Sequence, residues 1–144
     1  RPINIRADED VPPVETDPNQ LHRAIAILVD NALKYSDSPV DLRLSCEAGR
    51  VAISVTDRGC GIPASEIPYI FDRFYRAQGS SRADGTGLGL ALANEITDHL
   101  GGEIEVLSSP DAGSTFSVLL PLASGSLVAN GGYRTGSAKF LPEV

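Results

Sequence analysis

Ala83-Asp84-Gly85-Thr86-Gly87-Leu88-Gly89-Leu90-Ala91-Leu92-Ala93 joins a glycine-rich run to the start of a helical pattern. Glycine at every second position leaves a backbone without Cβ atoms, able to move and to approach a phosphate closely. Leu88, Leu92, Ile96 and Leu100 then recur four apart, and Gly101-Gly102 ends the run. A glycine loop feeding a helix presents unpaired N–H groups and a positive dipole end, which suits a polyphosphate. Taken alone, the stretch reads equally well as an ordinary loop before a helix. Its meaning depends on the rest of the chain.

Working outward, the next helix signal lies upstream. Asp17 serves as N-cap, Pro18 takes the first helical position and Gln20 completes a capping box. Leu21, Ala24, Ile25, Leu28, Val29 and Ala32 then supply a buried stripe as far as about Tyr35. Ile3 and Ile5 alternate with polar residues as a short opening strand. Val40, Leu42, Leu44 and Cys46, then Val51, Ile53 and Val55, alternate around Ala48-Gly49 as a β-hairpin. The same period places Asp57 on the inward face of its strand, where a carboxylate needs something polar to receive it. Between Ile62 and Ile70, Pro63 and Pro68 allow only short helical turns. Ile104 and Val106 pair with Phe116, Val118 and Leu120 as a second hairpin across Pro110-Asp111-Ala112-Gly113.

The order strand, helix, hairpin, helix, hairpin predicts an α+β fold. It is a two-layer sandwich whose mixed, mainly antiparallel sheet is covered on one face by helices. Residues 1–122 form this domain, and residues 123–144, rich in Gly, Ser and Ala and without period, form an appended tail. At 144 residues the domain is large enough for a core without disulfide or metal staples. A chain opening Arg1-Pro2 and lacking Met reads as a piece of a longer protein. No apolar run approaches the roughly 20 residues that span a bilayer. The net charge of -7 argues against a nucleic-acid surface, so an anion site must be built locally from amides, a few cations and a metal. Cys46 and Cys60 match no metal or redox spacing and suit a reducing cytosol.

Four segments line up in order: Asn31-Ala32-Leu33-Lys34-Tyr35, Asp57-Arg58-Gly59-Cys60-Gly61, Ile70–Arg76 and Gly85–Leu90. Together they resemble the N, G1, F and G2 boxes of bacterial sensor histidine kinases. Those kinases share an ATPase superfamily with type II DNA topoisomerases such as DNA gyrase, a heat-shock chaperone and mismatch-repair proteins. Asp17, Pro18 and Leu21, and Gly113-Ser114-Thr115-Phe116, also look like that family, and the resemblance covers residues 3 to 122. Gly59-x-Gly61-x-x-Ala64 formally matches a dinucleotide fingerprint too, but the prolines that follow and the flanking hairpin exclude a βαβ unit.

The resemblance implies a Bergerat-type ATP-binding fold with ATP and Mg²⁺ as ligands. Asp57 would accept a hydrogen bond from the adenine amino group, Gly61 would let the backbone come close to the base, and Gly59 and Ile62 would be further nucleotide contacts. Asn31, Lys34 and Tyr35 share a helix face. On the resemblance, Asn31 would coordinate Mg²⁺, Lys34 would pair with phosphate and Tyr35 would pack on the nucleotide. Thr86, Gly87, Leu88, Gly89, Leu90 and Thr115 complete the nucleotide contacts, and residues 77–89 form a lid. Phe71 and Phe74 would anchor that lid, and Arg73 or Arg76, undecided between them, would offer a guanidinium to the γ-phosphate. Plainer readings stand beside these. Asp57 fits an Asp-x-Gly turn, Lys34 an ion pair with Asp30, Tyr35 core packing, and His22 and His99 simple surface positions.

One departure bears on mechanism. Hydrolytic branches of the superfamily carry a water-activating Glu one turn before the metal-binding Asn, where this chain has Ile27; Asp30 points about 100° away around the helix. That favours transfer to an acceptor over hydrolysis. The resemblance therefore implies a protein-histidine kinase domain whose phosphoacceptor His lies on a dimerisation domain outside this chain. A response-regulator receiver domain would be the onward partner. The domain would be cytoplasmic and monomeric in isolation, within a homodimeric parent whose membrane anchorage the residues leave open. A serine kinase of the anti-sigma type and a nucleotide-binding module that transfers nothing are the competing readings.

Overall fold

The computed structural model describes residues 3–73, 88–122 and 138–140. The expectations for Phe74, Arg76, Thr86, Gly87 and the lid between them fall outside the described residues. The elements run β1 (Ile3–Ala7), α1 (Pro18–Tyr35), β2 (Val40–Glu47), β3 (Arg50–Asp57), α2 (Gly89–His99), β4 (Glu103–Ser109), β5 (Gly113–Pro121) and β6 (Ala138–Phe140). A single 3₁₀ turn covers Ile67–Tyr69. The strands form one sheet in the order β1-β2-β3-β5-β4-β6. The pairs β2–β3, β3–β5 and β4–β5 are antiparallel, while β1–β2 and β4–β6 are parallel.

Local chemistry sets the helix ends. The Asp17 carboxylate accepts from the Asn19 N–H at 2.9 Å and the Gln20 N–H at 3.3 Å, satisfying two orphan donors at the start of α1. At the end of α2, Gly101 has φ +81°. Its N–H reaches the Asp98 carbonyl, and the Gly102 N–H reaches that of Thr97, a Schellman ending. Thr97, fully buried, gives its hydroxyl proton to the Ala93 carbonyl one turn back at 2.8 Å. In the first hairpin, Ala48 and Gly49 both have positive φ, the twist a two-residue turn requires.

Parity along the strands builds the two faces. The register places Val51, Val55, Val118, Phe116, Ile104 and Val106 side by side, and α1 and α2 pack on that face through Ala24, Leu28, Ala32, Ala93 and Ile96. The opposite face carries hydroxyl pairs, Ser54 with Ser117 at 2.8 Å and Thr56 with Thr115 at 2.9 Å, and an Arg50–Glu103 ion pair at 2.7 Å. The two-layer sandwich and mainly antiparallel sheet match the expectation. Residues 138–140, within the segment read as a tail, pair with β4.

Candidate functional site

The inward face of the sheet changes character at one end. Continuing past Val55, Phe116 and Val106, the register brings Asp57, Ser114 and Ser108 together. All three are buried, Asp57 to 4% exposure. Asp57 Oδ1 accepts from the Gly59 N–H at 2.8 Å, so the Asp-x-Gly turn is formed. Burial pushes the Asp57 carboxyl above its ordinary value, and the backbone N–H groups of Gly59 and Ser114 pull it partly back. Among the described residues, no cation pairs with it. Such a carboxylate is an acceptor waiting for a neutral donor rather than half of an ion pair.

The loop after Asp57 is held from both sides. A Cβ on Gly59 would fall 2.0 Å from the Tyr35 carbonyl oxygen, and one on Gly61 would fall 1.8 Å from that of Ser109. Gly61 also has φ +75°. The missing side chain of Gly61 lets the loop pack directly against the backbone of Ser109 and Pro110 at the β4–β5 turn. The Cys60 carbonyl accepts from the Asp111 N–H at 2.7 Å, and the Ile62 N–H donates to Ser108 Oγ at 2.8 Å. The loop thus rests between the end of α1 and the β4–β5 turn.

Along α1, Ile27, Asn31, Lys34 and Tyr35 lie on one stripe. The beginning of α2 sits at one end of that stripe: a Cβ on Gly89 would lie 3.4 Å from Ile27 Cγ2. Gly59 sits at the other end, against Tyr35. Eight residues of helix separate the two ends by about 12 Å, with Asn31 midway and half-buried. Lys34 pairs with Asp30 at 3.3 Å on the surface, as the plainer reading expected. Such an exposed pair is worth at most about 1 kcal/mol. Among the described residues the start of α2 carries no side-chain cap, and the first N–H groups of a helix have no intrahelical acceptor. Leu88 and Leu90 are half-buried there and Gly89 is exposed.

Phe71 packs edge-on against Phe116, with ring centroids 6.3 Å apart, and fixes the start of the aromatic–cationic segment. Arg73 is exposed, its guanidinium 3.9 Å from Glu95 on α2. Cys46 and Cys60 are free and exposed, and so are His22 and His99. Among the described residues no cluster of His, Cys, Asp or Glu could hold a metal by itself. No helix of the described residues is long and apolar enough to cross a membrane.

Thr115 requires correction. Its strand parity puts it on the outer face, its hydroxyl bonded to Thr56, away from Asp57. The residue beside Asp57 is Ser114, and behind it stands Ser108, which the sequence reading passed over. Ser108 falls on the inward parity of Ile104 and Val106, and a hydroxyl continuing an apolar strand face was its available signal.

Comparison with known proteins agrees with this arrangement. The family model for histidine kinase-, DNA gyrase B- and HSP90-like ATPases matches residues 16–124. The sensor histidine kinase YkoH of Bacillus subtilis is 40% identical over 116 residues, covering 79% of this chain and 26% of that protein. The chain therefore spans about a quarter of that curated relative's length. Among solved structures, the mycobacterial sensor histidine kinase MprB aligns with a TM-score of 0.71 at 31% identity, covering 83% of each chain. Full-length ShkA in complex with AMPPNP aligns with a TM-score of 0.75 at 27% identity, covering 88% of this chain and 26% of the other. With most of its length matched, this chain belongs to the family of histidine kinase-, DNA gyrase B- and HSP90-like ATPases.

Proposed function

We propose that this chain is the catalytic domain of a sensor histidine kinase, binding Mg-ATP and placing its γ-phosphoryl for transfer to a His on a separate dimerisation domain. From there the phosphoryl would pass to an Asp of a response-regulator receiver domain. The single observation that carries the reading is Asp57, buried with only backbone donors at the end of an apolar sheet face. An adenine amino group supplies the missing neutral donor, whereas guanine would present a carbonyl oxygen to a carboxylate. The ligand in the ShkA structure, AMPPNP, is an adenine nucleotide analogue, and YkoH and MprB are named as sensor histidine kinases.

With the base at Asp57, the nucleotide runs along the α1 stripe from Tyr35 toward the beginning of α2. The phosphates would then meet the first N–H groups of that helix, with Leu88, Gly89 and Leu90 beside them. Asn31, half-buried midway along the stripe, would hold Mg²⁺ through its amide oxygen, in keeping with an ion that takes few protein ligands, and the ion would supply neutralisation of phosphate charge. Lys34 would offer its ammonium to a phosphate oxygen, and Arg73 or Arg76 would offer a guanidinium to the γ-phosphate. Ile27, in the turn before Asn31, cannot take a proton from water, so the site is arranged for transfer rather than hydrolysis. The parent protein would be a homodimer carrying this domain on its cytoplasmic side.

Calorimetric titration of ATP and GTP tests the assignment. The wild-type domain binds ATP and discriminates against GTP. Asp57→Asn weakens ATP roughly ten- to a hundredfold, the worth of a hydrogen bond to a charged group, and narrows the preference. Equal binding of the two nucleotides by the wild type would reduce Asp57 to a turn residue.

A further inference from the structure

The hydroxyl of Ser108 has one proton and two lone pairs, and the structure accounts for all three. The Gly113 carbonyl, 3.0 Å away, can only accept, so it takes the proton. The Ile62 N–H at 2.8 Å occupies one lone pair. The Ser114 hydroxyl at 2.9 Å must therefore donate to the other. A residue only 7% exposed is thereby saturated with bonds to three partners in two segments, the Gly59–Ile62 loop and the start of β5. The other ties between the Gly59–Ile62 loop and the β4–β5 turn are backbone contacts: Asp111 N–H to the Cys60 carbonyl, and Gly61 against Ser109. Among the described residues, Ser108 is the side chain that bonds the loop to the turn.

Resting on the nucleotide reading of Asp57, we propose that Ser108 is a positioning residue for base recognition, acting through Ile62 and Ser114 without touching the nucleotide. By holding the Ile62 N–H it sets how far the loop stands from the end of β3, and hence the depth of the base site. By taking the proton of Ser114 it also fixes that hydroxyl as an acceptor beside Asp57. With position 6 of the purine at Asp57, the two hydrogens of an adenine amino group can meet both acceptors, whereas a guanine carbonyl there would meet acceptors alone. Without Ser108 the Ile62 N–H loses its partner, the loop is free to shift, and Ser114 can turn its proton toward the site, where a guanine carbonyl would accept it.

Ser108→Ala raises the Kd for ATP about five- to tenfold, the loss of one to two neutral hydrogen bonds, and lowers the ratio of ATP to GTP affinity. Ser108→Thr and Ser108→Val form an isosteric pair that separates hydroxyl from volume, and serve if the alanine variant fails to fold. Thr keeps wild-type selectivity, and Val loses it as Ala does. Amide hydrogen exchange without nucleotide provides a second readout, with the Ile62 N–H less protected in Ala and Val but not in Thr. Unchanged ATP/GTP selectivity in Ser108→Val, or equal impairment of Thr and Val, overturns the proposal while the reading of Asp57 stands. A wild-type domain that binds neither nucleotide overturns both.

Discussion

Asp57 shows what one residue can cost and what that cost is for. Burial raises its carboxyl above the ordinary 3.8, so the folded protein holds the proton to higher pH than the unfolded chain does. The unfolded state then binds fewer protons, and stability falls as pH rises from the ordinary value through the raised one. Asn at this position keeps the acceptor for the Gly59 N–H and carries no charge. The nucleotide-free Asp57→Asn domain should therefore melt higher than wild type at neutral pH. The difference should close below about pH 4, where both aspartate states are protonated. Thermal melts of the two proteins across pH check this, and a constant gap would mean that ionisation is not its cause. A higher-melting Asp57→Asn domain would mark Asp57 as a residue kept for a ligand rather than for the stability of the empty domain.

Among the elements, the glycines divide by what lies behind them. Gly61 combines φ +75° with a backbone oxygen where its Cβ would go, so Gly61→Ala should cost about 2 kcal/mol or more of folding stability. Gly89 opens α2 with only a side-chain methyl at 3.4 Å, so Gly89→Ala should be neutral or up to about 1 kcal/mol stabilising. The same change should weaken ATP binding if the phosphates lie where we propose, because the added methyl would stand beside them. Denaturant unfolding paired with ATP titration separates the two cases. The sequence could not make this division. It revealed α1 almost to the residue, because Asp17, Pro18 and the Leu21–Ala32 stripe are local signals, and it put Asp57 inward by counting along one strand. Gly61 and Ser109 meet across 48 positions of chain, a long-range contact that leaves no local trace. The inward Ser114 and outward Thr115, by contrast, follow from the parity of Phe116, Val118 and Leu120 along one strand. The ion pair of Lys34 with Asp30 was likewise readable from helical spacing alone.

At the level of the whole molecule, the sheet is an amphipathic layer with one exception. Its outer face is tiled with hydroxyl pairs and an ion pair, its inner face is apolar, and the polar patch of Asp57, Ser108 and Ser114 interrupts that inner face at one end. A ligand completing that patch binds the folded state alone. ATP at a hundred times its Kd should therefore stabilise the domain by about 2.7 kcal/mol, seen as a melting temperature that climbs with nucleotide concentration. Asp57→Asn should flatten the climb at the same ATP concentrations. A wild-type melting temperature indifferent to ATP would place the ligand elsewhere. The clamping of the Gly59–Ile62 loop between α1 and the β4–β5 turn carries a further consequence, for entropy. Ordering a free backbone costs about 1–2 kcal/mol per residue. For this loop the cost falls within the folding of the domain, before any ligand arrives. Association at the Asp57 end can then proceed as the docking of a rigid base onto a rigid surface, its affinity undiminished by local ordering.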